Sequence, residues 1–167
     1  MLLRHAKSDW PEQTADHDRP LAARGRRDAP HVGRWLARAG WMPDTVICST
    51  ALRARQTWDL ASAALAAEAG GAVPTIRFER RVYEATVLGL LMLVREFPPE
   101  ERTVVIVGHN PGLAELAVGL PAPPPDPPVS FPTAAVAVLG MPGSWASVGP
   151  GGAKLLAFAV PADMRGG

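Results

Sequence analysis

Arg4 and His5 in "LLRHAKSDW" close the first apolar run of the chain, Arg53 follows the run "TVICS", and His109 follows "TVVIVG". Two guanidiniums and two imidazoles at the ends of such runs suit an anion. An Arg side chain offers a planar fork of donors matched to phosphate oxygens, and helix N-termini add backbone N–H groups. A metal site is not expected: His5 and His109 lack the short spacing of ligand pairs, no thiolate joins them, and two Arg cations repel a metal ion. A phosphoryl group is the guest these residues predict. Its transfer asks for donors around the equatorial oxygens, which Arg4, Arg53 and His109 can supply, leaving His5 to face phosphorus. Neighbouring cations lower the pKa of His5 and keep a ring nitrogen free for attack near pH 7. Singly, each residue has a plainer role, His5 as a core histidine and Arg53 as the ion-pair partner of Asp59 or Glu84. Their joint placement at strand ends is what points to chemistry.

A leaving group also needs a proton. Glu84, in "RRVYEAT" between a strand-like run and a helix, is the candidate acid; its alternative is a helix-start carboxylate favoured by the dipole. Tyr83 is assigned to packing, and His17 and His31 to solvated positions. Cys48, the single cysteine, lies in the apolar run "TVICS" and reads as a small buried residue.

Elements must hold these groups. "TVICSTALRARQTWDLASAALAA" and "TVVIVGHNPGLAELAVGL" each read as strand, loop, helix. Residues 24–39 space Val32, Trp35, Leu36 and Ala39 as a helix that Pro30 should kink or restart. "TVLGLLMLVREFPP" predicts a helix stopped by Pro98 and Pro99. "AAVAVLG" and "KLLAFAVP" predict two strands added antiparallel at one side, and the terminal "DMRGG" a frayed end. The expectation is an α/β fold: a three-layer sandwich with a mostly parallel, mixed central sheet and helices on both faces. "LPAPPPDPPVSFPT" predicts an extended loop, either a connection or a functional rim.

With 167 residues the chain predicts one domain spanning 1–167. A formal net charge of +1 with mixed signs gives no broad basic field for nucleic acid or an anionic membrane. Without a long apolar span or a leader, a cytoplasmic protein is expected.

Five blocks, "LLRHAKSDW", "DRPLAARGRRDA", "STALRARQT", "VYEA" and "VGHNPGL", in this order, resemble the histidine phosphatase superfamily and its short SixA-type phosphohistidine phosphatases. The resemblance implies a phosphohistidine intermediate on His5, a phosphate pocket of Arg4, Arg53 and His109, and no cofactor. It puts Glu84 at or near the family's acid position, and Ser8 and Arg19 at the mouth as further phosphate or substrate contacts. The expected partner is a protein carrying phosphohistidine; the alternatives are a small-molecule phosphomonoesterase and a phosphate-binding module without turnover. Insertions found in the family's mutases and larger phosphatases have no room here, which argues against a phosphoglycerate mutase. The family's first strand has more residues before the Arg-His pair than Met1, Leu2 and Leu3, so a start further upstream is an open expectation.

Overall fold

The computed structural model describes residues 1–71, 74–126 and 130–165. Six strands form one sheet in the order β3-β2-β4-β1-β5-β6: β1 (Leu2–Arg4), β2 (Thr45–Ser49), β3 (Thr75–Glu79), β4 (Val104–Gly108), β5 (Val136–Gly140) and β6 (Lys154–Ala159). The first four are mutually parallel, β5 is antiparallel to β1, and β6 is antiparallel to β5. The α/β expectation and the antiparallel addition at one side both hold.

Alternation along the strands divides the core. Leu3, Val46, Cys48, Val105, Val107, Val136 and Val138 face one side, under α1 (Ala23–Arg38), α2 (Leu52–Glu68) and α5 (Pro161–Met164). Leu2, Ile47, Val104, Ile106 and Ala137 face the other, under α3 (Val87–Arg95) and α4 (Gly112–Gly119). Period-two patterning with both faces apolar makes the central strands near-continuous hydrophobic runs. Two glycines let backbones meet. A Cβ at Gly33 would collide with the Ala61 carbonyl of α2, and one at Gly25 with the Lys7 carbonyl, so the start of α1 lies directly against the segment that follows His5.

Two expectations are corrected. α1 does not restart at Pro30 but continues through it as one helix: the carbonyl left without a donor is that of Arg26, an exposed position where water can meet it. The tail is not wholly frayed, since Asp163 closes a cap on the Val160 N–H and Met164 is buried in the core; Gly166 and Gly167 lie outside the described residues. α3 stops before Pro98 and Pro99 as expected, and starts on Thr86, whose hydroxyl accepts from the Gly89 N–H. Among the described residues no helix is long and apolar enough to cross a membrane.

Candidate active site

Strand register brings the two imidazoles together. Arg4 and Gly108, the last residues of β1 and β4, are partners in the parallel ladder, so His5 and His109 emerge side by side one residue later. The His5 N–H donates to the Gly108 carbonyl (3.0 Å), and the ring centroids are 5.0 Å apart. In open α/β sheets this edge, beyond the carboxyl ends of the strands, is where ligands bind.

The His5 ring is oriented by its own neighbour. Its Nδ1 lies 2.8 Å from the Ala6 carbonyl, which can only accept, so Nδ1 carries the proton and a neutral ring keeps its lone pair on Nε2. Ala6 is itself fixed, its N–H donating to Thr57 Oγ1 (2.9 Å) while the Thr57 hydroxyl donates to the Arg53 carbonyl (2.6 Å). Burial pushes the His5 pKa down to about 4; the bond to Ala6 opposes this, and the charges of Arg53, Arg4 and Arg19 add to it. Burial, reinforced by His5 and Arg53, pushes His109 down to about 3. Both rings are neutral at pH 7.

Around the rings, donors are buried without partners. Among the described residues the buried side-chain nitrogens lacking a hydrogen bond are Arg4 Nε, Arg53 Nε and His109 Nδ1. Unpaired buried donors are costly, and their gathering in one place fits an anion that would complete them. Part of each guanidinium is already engaged by the protein. Arg4 Nη1 donates to the Phe131 carbonyl (2.9 Å), which also accepts from Asn110 Nδ2 (2.9 Å). Arg53, in the first turn of α2, donates through Nη1 to the Asp16 carbonyl and through Nη2 to Asp16 Oδ2 (2.9 Å).

Asp16 is the residue that sequence reasoning missed. Its carboxylate accepts from Arg53, from Arg19 Nη1 (3.0 Å) and from the Tyr83 hydroxyl (2.9 Å). Burial opposes its ionisation, yet the bonds from Arg19, Tyr83 and Arg53 prevail and bring its pKa to about 2. The only clue in the sequence was arithmetic: three arginines in one pocket call for a carboxylate. The pairing of Arg53 is therefore with Asp16, and neither Asp59 nor Glu84 is needed.

Tyr83 does more than pack. Besides its bond to Asp16, its ring stands edge-on to His109 (5.6 Å) and to His17 (5.0 Å). His17 is only half exposed and bonds Thr50 Oγ1 (2.9 Å), so it belongs to the same cluster rather than to a solvated loop. His31 bonds Arg34 on α1 and stays apart. Cys48 is buried, its thiol pushed up to about 12, chiefly by burial. Ser8 and Arg19 sit together beside Asp16: Arg19 Nη2 donates to Ser8 Oγ (2.9 Å), Arg19 Nε to the Asp9 carbonyl, and the guanidinium lies 3.8 Å over the exposed Trp10 ring. Glu84 is exposed, in a left-handed conformation (φ 55°), on the turn that also presents Tyr83.

Known proteins resemble the chain in sequence and in overall fold. The model of the histidine phosphatase superfamily, branch 1, matches residues 1–76. An uncharacterised protein of Mycobacterium tuberculosis is 40% identical over 166 residues, covering 95% of this chain and 99% of the relative. The structure of a protein named as a candidate phosphohistidine phosphatase SixA from Nakamurella multipartitia superposes with a TM-score of 0.77 at 31% identity, covering 96% of this chain and 95% of the other. One so named from Agrobacterium tumefaciens gives 0.75 at 30%, covering 96% of each. The fold, the order of its blocks and these relatives agree, and the chain belongs to the histidine phosphatase superfamily.

Proposed function

We propose that the protein is a cytoplasmic phosphatase acting through a covalent phosphohistidine on His5, with protein phosphohistidine as its favoured substrate. The observation that carries this reading is the His5 ring itself: neutral, held by Ala6 so that Nε2 keeps its lone pair, and set among buried donors that lack partners. In the first step His5 Nε2 attacks phosphorus and the bond to the leaving group breaks, its electrons going to the leaving atom, which takes a proton. In the second, water attacks the phosphohistidine, the P–N electrons return to Nε2, a water proton goes back to the group that gave one in the first step, and inorganic phosphate departs. Arg4, Arg53 and His109 act in both steps by donating to the equatorial oxygens.

The proton donor is assigned to Glu84. Asp16, with its pKa near 2, is ionised and can only accept, and His109, pushed to about 3, is not an imidazolium at neutral pH. Ser8 and Arg19 are assigned to contacts at the mouth. A protein substrate is favoured because a histidine on a protein surface projects far enough to reach rings that are themselves 8% exposed. A small-molecule phosphomonoesterase is the second reading, since a phosphoryl group on any slender leaving group could reach the same rings.

The test is a substrate panel with phosphoenzyme trapping. Brief exposure to a phosphohistidine protein should give an acid-labile, base-stable phosphoenzyme at His5, with turnover exceeding that of simple phosphate esters. Label on another residue would overturn the mechanism, and faster turnover of small esters would favour the second reading.

A further inference from the structure

Ser49 ends β2 at the level of Gly108 in the adjoining β4, and its side chain is fully buried. Its Oγ lies 2.7 Å from His109 Nε2 and accepts from the Ala51 N–H (3.3 Å). Nothing in the phosphoryl-transfer scheme above uses this hydroxyl.

Two arrangements of protons are possible. If His109 carried its proton on Nε2 and donated to Ser49, the buried Ser49 hydroxyl proton would need another acceptor. His109 would then also turn a bare lone pair on Nδ1 toward its surroundings, and a lone pair repels a phosphoryl oxygen. If the Ser49 hydroxyl donates to Nε2, the Ser49 proton is paired, the Ala51 bond is kept, and the His109 proton sits on Nδ1. Nδ1 is the ring atom found buried without a partner. Only the second arrangement leaves a single unmet group, and that group is a donor of the kind a phosphoryl oxygen satisfies.

We infer that Ser49 is a positioning residue that fixes the tautomer of His109, so that the neutral ring presents Nδ1–H to the phosphoryl group. The inference rests on the proposed phosphoryl chemistry for its consequence, but the tautomer itself is a property of the free protein. A neutral imidazole offers one proton in one of two places, and the strand-end serine decides which.

The test has three parts, all on the full chain. The ¹⁵N spectrum of the ligand-free wild type should show His109 protonated at Nδ1, and Ser49→Ala should shift it toward a mixture of tautomers, with Ser49→Thr restoring the wild-type spectrum. Inhibition by orthovanadate, a phosphoryl mimic, should weaken roughly tenfold in Ser49→Ala, the scale of one lost donor. In a His109→Ala background Ser49→Ala should cost nothing further, because its route is removed. A wild-type ring protonated at Nε2 overturns the inference whatever the activity shows, and so does a Ser49→Ala penalty that persists without His109. If vanadate fails to bind the wild type at all, the phosphoryl reading fails, while the spectra still decide the tautomer.

Discussion

β1 is only three residues long, and its two ends differ in kind. At the carboxyl end Arg4 and His5 enter a crowded polar setting: the Arg4 N–H reaches the Ala135 carbonyl, the His5 N–H the Gly108 carbonyl, and three side-chain nitrogens nearby are buried without partners. At the amino end, Met1 donates from its α-nitrogen to the Val104 carbonyl (2.6 Å) and borders a cavity of about 420 Å³. That cavity is lined mainly by apolar side chains, among them Trp41, Val138, Leu139, Met141, Trp145 and Leu156. Room is found at one end and unsatisfied chemistry at the other. Volume alone is therefore a poor guide to where this molecule acts.

Substitutions at the two ends should separate activity from stability. The largest effect is expected at His5: His5→Ala should lower turnover by about 10⁴-fold or more, since no neighbour replaces a nucleophile, with an unchanged circular dichroism spectrum. Residual turnover above that level, with label still bound covalently, would move the nucleophile elsewhere. Next comes Glu84→Gln. Alkyl phosphate turnover should fall about 10²-fold, the scale of acid catalysis, while phosphohistidine turnover falls much less, because imidazole leaves readily once protonated. Equal losses on both substrates would make Glu84 an ordering residue.

Asp16→Asn should be milder, about tenfold in kcat/KM, carried mostly by KM, because Arg53 stays present but loses its charged anchor. A loss confined to kcat would instead tie Asp16 to the chemical step. The acid limb of stability sharpens the same contrast. Both site imidazoles are neutral in the fold but take up a proton near 6.5 when unfolded, so the unfolded chain binds more protons below that pH. Their contribution is whole above pH 6.5 and is lost as the pH falls through 6.5 toward 4 for His5 and toward 3 for His109; that of Asp16 is whole above 3.8 and is lost toward 2. Thermal melts of His5→Ala should accordingly show a flatter limb between pH 6.5 and 4 than wild type, and superimposable limbs would contradict the buried neutral ring. The smallest change in activity belongs to the other end. Trp145 packs edge-on against Phe97 and donates to the Glu101 carbonyl; Trp145→Ala should cost roughly 2 kcal/mol or more of stability while kcat stays within twofold. A large loss of kcat in that variant would show that the two ends communicate.

The sequence carried the strands, the helices and the four residues at their tips, because apolar runs and the Arg and His that end them are local signals. What it could not carry is pairing across distance. Asp16 meets Arg53 across 37 positions and Tyr83 across 67, and Ser49 meets His109 across 60. Tyr83 read as a packing residue because the acceptor of its hydroxyl proton, Asp16, lies far from it in the chain. Ser49 was open to the same strand-end reasoning that found His109, but a hydroxyl draws less attention than a cation. Pro30 misled for a different reason: a broken hydrogen bond matters little where the orphaned carbonyl faces water.

The proline-rich stretch is held on both sides. Pro121 forms an isolated bridge with Ala153, and the Ala122 N–H and Leu120 carbonyl bond the same residue. At the far side the Phe131 carbonyl receives Arg4 and Asn110, and its ring is buried beside Phe158. Arg4 is thus aimed by a backbone carbonyl at the far end of the stretch, which ties that anchor to the strand end carrying His5. A tag or recognition peptide inserted between the two anchors is therefore expected to spare activity only while the Phe131 carbonyl keeps its hold on Arg4, which makes activity a readout of how tightly that far anchor is set.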